Sequence, residues 1–252
     1  MRPRKGSVDM KSLAITKFDP LDYACNEALN TLCTNLTFAG SSVKKIMITS
    51  CIAAEGKSFL AFNMMRSFAA LGKKVVYVSG DLRRFAIMER HGIRIQDGPG
   101  QGITHYLAGM CELGEVLYST NVPGAYMVPV GREVSNSLAL LSTPRFSELL
   151  DDLAGMFDVV LVDAPPVGVI IDAAEIAKSC DGTLLVVNYN MVRRRDLNEA
   201  KQQIELTGCM VLGAVLNNVS FDSYTSKRYY NKSYYTNYYV SEPYKSRKQI
   251  NG

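Results

Sequence analysis

Eight residues, Cys51-Ile-Ala-Ala-Glu-Gly-Lys-Ser58, follow the spacing of a phosphate-binding loop, G-x-x-x-x-G-K-[ST], with cysteine in place of the first glycine. Such a loop curls backbone N–H groups around a phosphate at a helix N-terminus, where the helix dipole favours negative charge. Lys57 would neutralise the β- and γ-phosphate oxygens, and the Ser58 hydroxyl would bind Mg²⁺. Ala53, Ala54, Glu55, Gly56, Lys57, Ser58 and Phe59 are therefore candidate nucleotide-binding residues. Ala53 and Ala54 stand where glycine would ease backbone approach, and alanine is tolerated there if φ stays negative. A chance Gly-Lys-Ser at a helix start is the plain alternative.

Two aspartates end apolar runs that read as strands: Asp81, in Ser79-Gly-Asp-Leu-Arg-Arg84, and Asp163, in Asp163-Ala-Pro-Pro166. In a parallel sheet both carboxylates emerge at the C-terminal edge, beside the phosphate loop. Asp163 then fits an acid that holds Mg²⁺, and Asp81 a second acid near the γ-phosphate that can take a hydroxyl proton; Arg83 is a candidate nucleotide contact. The catalytic set is Lys57, Asp81 and Asp163, and the metal set is Ser58, Asp81 and Asp163. The alternative is that both aspartates cap the turns that follow them.

A third feature is compositional. Eight of the chain's 14 tyrosines, Tyr224, Tyr229, Tyr230, Tyr234, Tyr235, Tyr238, Tyr239 and Tyr244, fall in one stretch with no aliphatic residue between Phe221 and Val240. Rings without apolar partners at strand or helix spacing cannot build a core. The stretch reads as a flexible exposed tail, a candidate phosphorylation substrate. From Asp222 onward six Lys/Arg face two acids, which accounts for the whole net charge of +4. Such a tail could also stack on single-stranded nucleic acid or rest on anionic lipid; nucleic acid is the less favoured partner.

The elements that must position these groups alternate short apolar strands with amphipathic helices, predicting an α/β fold with a mostly parallel central sheet and helices on both faces. Strands are expected at Lys45–Ser50, Lys74–Ser79, Ala125–Val130, Asp158–Asp163, Gly182–Asn188 and Met210–Leu216. Helices are expected at Pro20–Leu36, Lys57–Leu71 closed by Gly72, Thr143–Met156 and Arg195–Leu206. Residues 91–115 read as a surface loop with a short helix over His105–Cys111. Three parts follow: an arm over 1–20, a folded domain over 21–221 and the tail over 222–252. At 252 residues with 47% hydrophobic and 21% charged, the chain is ordinary globular material. No apolar run reaches a membrane span, and the N-terminus is too polar for a signal peptide. Six cysteines form no C-x-x-C pair and only His91 and His105 are imidazoles, so no zinc site is expected.

Together these motifs resemble the bacterial tyrosine kinases, cytosolic partners of polysaccharide chain-length regulators within the wider MinD/ParA-type P-loop ATPases. The resemblance spans about residues 23–244 and rests on EGKS at 55–58, VYVSGDLRR at 76–84, VLVDAPP at 160–166 and the tyrosine cluster. It implies ATP and Mg²⁺ as cofactors, autophosphorylation of the tail, and regulation of capsular or exopolysaccharide synthesis or export. It also implies a membrane-bound chain-length modulator as activator, a homo-oligomer with each tail in a neighbouring site, and a cytoplasmic location at the inner membrane face through that partner. Asn217, ending VLGAVLN, matches the position where such ATPases contact adenine. Three positions depart from the family pattern. Ser79 replaces the first acid of D-x-D-x-R; Asn30 and Cys33 replace both arginines of E-x-x-R-x-x-R, associated with ring assembly; and Ala53-Ala54 replaces the loop's usual Pro-Gly. The alternatives are an ATP-binding adaptor with little or no catalysis and a MinD/ParA-like positioning ATPase.

Overall fold

The computed structural model describes residues 10–219 apart from 39, 41, 85, 97 and 99. The expected tail, with its eight tyrosines, and the first nine residues lie outside the described residues. In chain order the elements are β1 (Ser12–Ala14), α1 (Tyr23–Phe38), β2 (Lys45–Ser50), α2 (Lys57–Ala70), β3 (Val75–Ser79), α3 (Ala86–Arg90) and β4 (Arg94–Ile95). There follow α4 (Ile103–Leu107), α5 (Leu113–Val116), β5 (Tyr118–Thr120), β6 (Ala125–Val128), α6 (Ser137–Leu141) and α7 (Pro144–Met156). The chain continues through β7 (Val159–Asp163), α8 (Asp172–Ala177), β8 (Gly182–Asn188), α9 (Arg194–Glu205) and β9 (Met210–Asn217).

Among the described residues the strands form one sheet of order β4-β1-β5-β6-β3-β7-β2-β8-β9. Its centre is parallel throughout, β6-β3-β7-β2-β8-β9, and only the β1–β4 and β5–β6 pairs are antiparallel. The run β3-β7-β2 positions the candidate site residues, because all three strands point their C-terminal ends at one edge.

The central strands are apolar on both sides, as strands covered by helices must be. Along β3, Val76 and Val78 face one core with Phe146, Leu149, Leu150 and Leu153 of α7. Val75 and Tyr77 face the other with Phe62, Met65 and Phe68 of α2 and Leu29, Cys33 and Leu36 of α1. The expected two-sided α/β fold is thus the observed one. Asp22 caps α1: its Oδ1 accepts the Cys25 N–H at 2.7 Å, which holds the carboxyl below its ordinary range.

Two expectations need correction. Part of the 1–20 arm belongs to the sheet, because β1 pairs with β5 and β4, and Leu13 and Ile15 are buried. Within residues 91–115 the expected short helix is present, but it is buried rather than set on a surface loop. Ile103, Tyr106 and Leu107 recur at i, i+3 and i+4, and that stripe buries α4 in the core two residues ahead of the helix start read from sequence. Glycine content disguised it: Gly102 lies so close to Gly131 that a Cβ there would meet the Gly131 nitrogen at 2.3 Å. The close approach, not looseness, calls for glycine.

His91 stitches the N-terminal segment onto the end of α3. Its backbone carbonyl accepts the N–H groups of Thr16 and Lys17, and its Nδ1–H donates to the Lys17 carbonyl at 3.0 Å. The ring is fully buried, stacked on Phe62 at 3.6 Å, and among the described residues Nε2 has no hydrogen-bond partner. Burial lowers the imidazole pKa from its usual 6.5; the Lys17 carbonyl and Asp19 oppose this, while Arg90 and Arg66 reinforce it. The folded protein therefore binds fewer protons here than the unfolded chain does. Its stability should fall as pH drops below about 6.5. Urea unfolding of the parent and of His91→Phe between pH 7 and pH 5 checks this: the parent should lose stability and the variant much less, whereas parallel curves would contradict it.

Candidate functional site

The sheet's carboxyl edge builds the site. Strand β2 ends at Ser50, the loop Cys51–Gly56 turns, and α2 begins at Lys57. Gly56 has φ +90°, and a Cβ there would lie 2.0 Å from the Asn217 amide nitrogen, so only glycine fits. Ala54 has φ +66°. The condition for a tolerated alanine is not met there, and a non-glycine residue in the left-handed region costs roughly 1–2 kcal/mol. The loop holds this strain because it is clamped from inside. Glu55 is fully buried, its Oε2 accepting the Ile52 N–H at 2.8 Å and its Oε1 the Asn188 N–H at 3.0 Å. Its main-chain carbonyl accepts the Asn217 carboxamide N–H at 2.9 Å. Asn217 thus braces the loop from behind, and Glu55 is a structural clamp beneath it.

Strands β3 and β7 pair in register with Ser79 opposite Asp163. The Asp163 carbonyl accepts the N–H groups of Gly80 at 2.9 Å and Asp81 at 3.1 Å, which ties the two strand ends together. Lys57 Nζ lies 3.9 Å from Asp81 Oδ2, with both side chains mostly covered. Asp163 is almost fully buried; Tyr77 donates its hydroxyl to Oδ2 at 2.6 Å, and among the described residues Oδ1 has no hydrogen-bond partner. Burial raises the Asp163 pKa, Asp81 adds to the rise, and Lys57, the Ser58 hydroxyl and Tyr77 oppose it. Burial, with the neighbouring carboxylate, pushes the Tyr77 phenol well above 10, so the tyrosine is the proton donor of this pair. Ser79 Oγ is also buried without a hydrogen-bond partner among the described residues.

These groups surround a cleft of about 350 Å³ lined by Ala53, Ala54, Gly56, Lys57, Ser58, Phe59, Ser79, Asp81 and Asp163, with Arg84, Ile87 and Arg90 at its other wall. Arg90 pairs with Asp19 at 2.9 Å, and its guanidinium lies 5.1 Å from the centre of the Phe59 ring. The structure does not bring Arg83 to the cleft: its Nε donates to Ser137 Oγ at 2.9 Å and approaches Asp172 Oδ2 at 3.2 Å, a buried carboxylate. Sequence reasoning missed Tyr77, Arg84, Arg90 and the clamp role of Glu55. A phenol inside the aliphatic run VVYVS was the one available signal for Tyr77.

Mg²⁺ prefers a few hard oxygen ligands and keeps the rest of its shell for water and substrate phosphate. The unpartnered Asp163 Oδ1 and Ser79 Oγ, beside Asp81 and the Ser58 hydroxyl, fit that demand.

No protein-family model matches the sequence. Individual proteins do. The chain is 36% identical over 206 residues to the tyrosine-protein kinase CpsD of Streptococcus pneumoniae, covering 81% of this chain and 89% of that one. The chain belongs to the bacterial tyrosine-protein kinases. The kinase domain of the Escherichia coli tyrosine kinase ETK superposes with a TM-score of 0.73 at 29% identity, covering 79% of this chain and 77% of that one. The cell division ATPase MinD of Pyrococcus furiosus superposes with a TM-score of 0.58 at 25% identity over 69% of this chain and 71% of its own. This kinase therefore shares a MinD-like P-loop fold, and the adaptor and positioning-ATPase alternatives are the less favoured readings. Two departures can now be located. Cys33, where the family pattern has an arginine, is fully buried against α2, and burial pushes its thiol up to about 12; Asn30, the other, is half-buried. Among the described residues no helix is long and apolar enough to cross a membrane.

Glu55→Ala would leave the Ile52 and Asn188 N–H groups buried without acceptors, at about 2–4 kcal/mol in stability. Urea unfolding should register that loss, and nucleotide affinity should fall with it. A variant as stable as the parent would show that the clamp does not hold the loop.

Proposed function

We propose that this kinase uses Mg-ATP to phosphorylate the tyrosines of its own C-terminal cluster, Tyr224, Tyr229, Tyr230, Tyr234, Tyr235, Tyr238, Tyr239 and Tyr244, on a neighbouring copy. The observation that carries this reading is the convergence of Lys57, Ser58, Asp81 and Asp163 on one cleft at the sheet's carboxyl edge. Phosphoryl transfer needs mainly positioning and electrostatic stabilisation from the protein. Ala53, Ala54, Gly56 and Phe59 would form the cradle, with Glu55 and Asn217 holding its shape. Lys57 would leave Asp81 for the β- and γ-phosphate oxygens, freeing the Asp81 carboxylate to receive the proton of the incoming phenol. A phenol with a pKa near 10 needs such a base or a nearby cation at neutral pH. Mg²⁺, when bound through Ser58, Asp163 and Asp81, would supply charge neutralisation at the transferring phosphate.

The family supports a wider setting: control of capsular or exopolysaccharide synthesis or export, in the cytoplasm at the inner membrane face, through a membrane-bound chain-length modulator that activates the kinase. Each phosphotyrosine adds about −1.5 to −2 charges. Eight would take the tail from +4 to about −8 to −12, enough to release it from an acidic partner.

Incubation with Mg-ATP followed by phosphopeptide mapping tests the core of the proposal. Phosphotyrosine is expected within residues 224–244, and Lys57→Met should lower its rate by about 100-fold or more. Equal labelling of both proteins, or none in the parent, would overturn it.

A further inference from the structure

Tyr77 is a buried phenol whose one hydrogen bond is to the acid that the Mg-ATP reading needs most. Tyr77 and Ser79 are two residues apart on β3 and share a face of the sheet, the face covered by α2. Ser79 lies directly opposite Asp163 in the β3–β7 ladder, and Tyr77 opposite Leu161. The Tyr77 ring is wholly buried with Phe62 and Met65, below the cleft, and its hydroxyl reaches up to Asp163 Oδ2 at 2.6 Å. Ser79 and Asp163 are each 4% exposed and line the cleft, and each keeps one side-chain oxygen without a hydrogen-bond partner among the described residues.

The position facing Asp163 thus holds a neutral hydroxyl, and one residue pair deeper a neutral donor holds the carboxylate. Two ionised carboxylates in that place would repel each other in a water-poor pocket. A phenol that donates to Oδ2 does the opposite: it satisfies one oxygen, restrains the carboxylate's rotation, and leaves Oδ1 as the oxygen free to take a cation. The carboxylate cannot fully turn away without leaving the tyrosine hydroxyl buried and unbonded, which costs free energy.

We propose that Tyr77 is a positioning residue for the metal-binding acid, and that the Tyr77 phenol with the Ser79 hydroxyl occupies the place of a second carboxylate in this kinase. The inference rests on the Mg-ATP reading above and adds how this chain meets the metal's demand with one acid fewer. It concerns orientation, not a group that touches substrate. It therefore predicts an effect on the Mg²⁺ requirement that a purely structural role for the ring would not give.

The test is equilibrium binding of a fluorescent ADP analogue across a Mg²⁺ titration, with chelator present as the metal-free arm. The proteins are the full chain, Tyr77→Phe, Ser79→Asp and the double variant. Tyr77→Phe should raise the half-saturating Mg²⁺ concentration about tenfold, the size expected for one hydrogen bond to a charged group, with metal-free affinity held within about twofold. Ser79→Asp alone should change the requirement by less than about threefold, because the phenol already holds the acid. In the double variant the added carboxylate should recover most of what Tyr77→Phe loses. An unchanged Mg²⁺ requirement in Tyr77→Phe, or no recovery in the double variant, would overturn the proposal. Should Tyr77→Phe fail to fold, Ser79→Asp decides alone, since a roughly tenfold or greater gain would show that the second acid's place stood unfilled. If Mg²⁺ does not strengthen binding to the unaltered chain, the Mg-ATP reading itself fails, and that result is distinct from every outcome above.

Discussion

The main-chain carbonyl of Asp163 accepts hydrogen bonds from two successive N–H groups, those of Gly80 and Asp81. That pair of bonds fixes how far the end of β3 stands from the end of β7, and through it the spacing of the two acids. Gly80 permits the approach, since a Cβ there would sit 3.0 Å from the same carbonyl oxygen. The loop before α2 enters from β2, the other neighbour of β7, so Lys57 and Ser58 arrive at the same edge. Parallel register does the rest, because strands that point one way put their last side chains in one place.

The site departs from the habits of the surrounding core. Among the described residues three buried side-chain atoms lack a hydrogen-bond partner: His91 Nε2 in the core, and Ser79 Oγ and Asp163 Oδ1 at the cleft, where Ala54 also holds left-handed backbone. Strain and unsatisfied polar groups persist only where the surroundings over-determine them, and they gather at functional sites. Here the over-determination is visible. Glu55 spends both carboxylate oxygens on backbone N–H groups, one in its own loop and one at the end of β8, and Asn217 on β9 closes the back. The loop thus depends on two strands, β8 and β9, that supply no lining residue to the cleft.

Much of this was legible in the sequence. Strands β2 and β8 and helix α7 fall where their apolar period and flanking Gly, Pro and Asp put them, because a fully buried parallel strand is a short unbroken apolar run. The loop, Asp81 and Asp163 were legible for the same reason: each is a polar interruption at the end of such a run. What sequence could not supply is pairing across the fold. Arg83 sits one residue from a cleft-lining arginine, yet Asp172 and Ser137, far along the chain, draw it away. Glu55 gave no sign that its carboxylate points inward. The β1 strand escaped because three residues carry too little periodicity to read, and the start and burial of α4 because the glycines before it looked like a loop.

The proposed reaction would join the cleft of one copy to the tyrosine cluster of another. Mixing two defective chains tests that join most directly: Lys57→Met, with its tail intact, and a chain with an intact cleft whose eight cluster tyrosines are changed to phenylalanine. With Mg-ATP, neither alone should form phosphotyrosine in residues 224–244, and the mixture should form it there on the Lys57→Met chain. A mixture as silent as its parts, under conditions where the unaltered chain is labelled, would contradict the account.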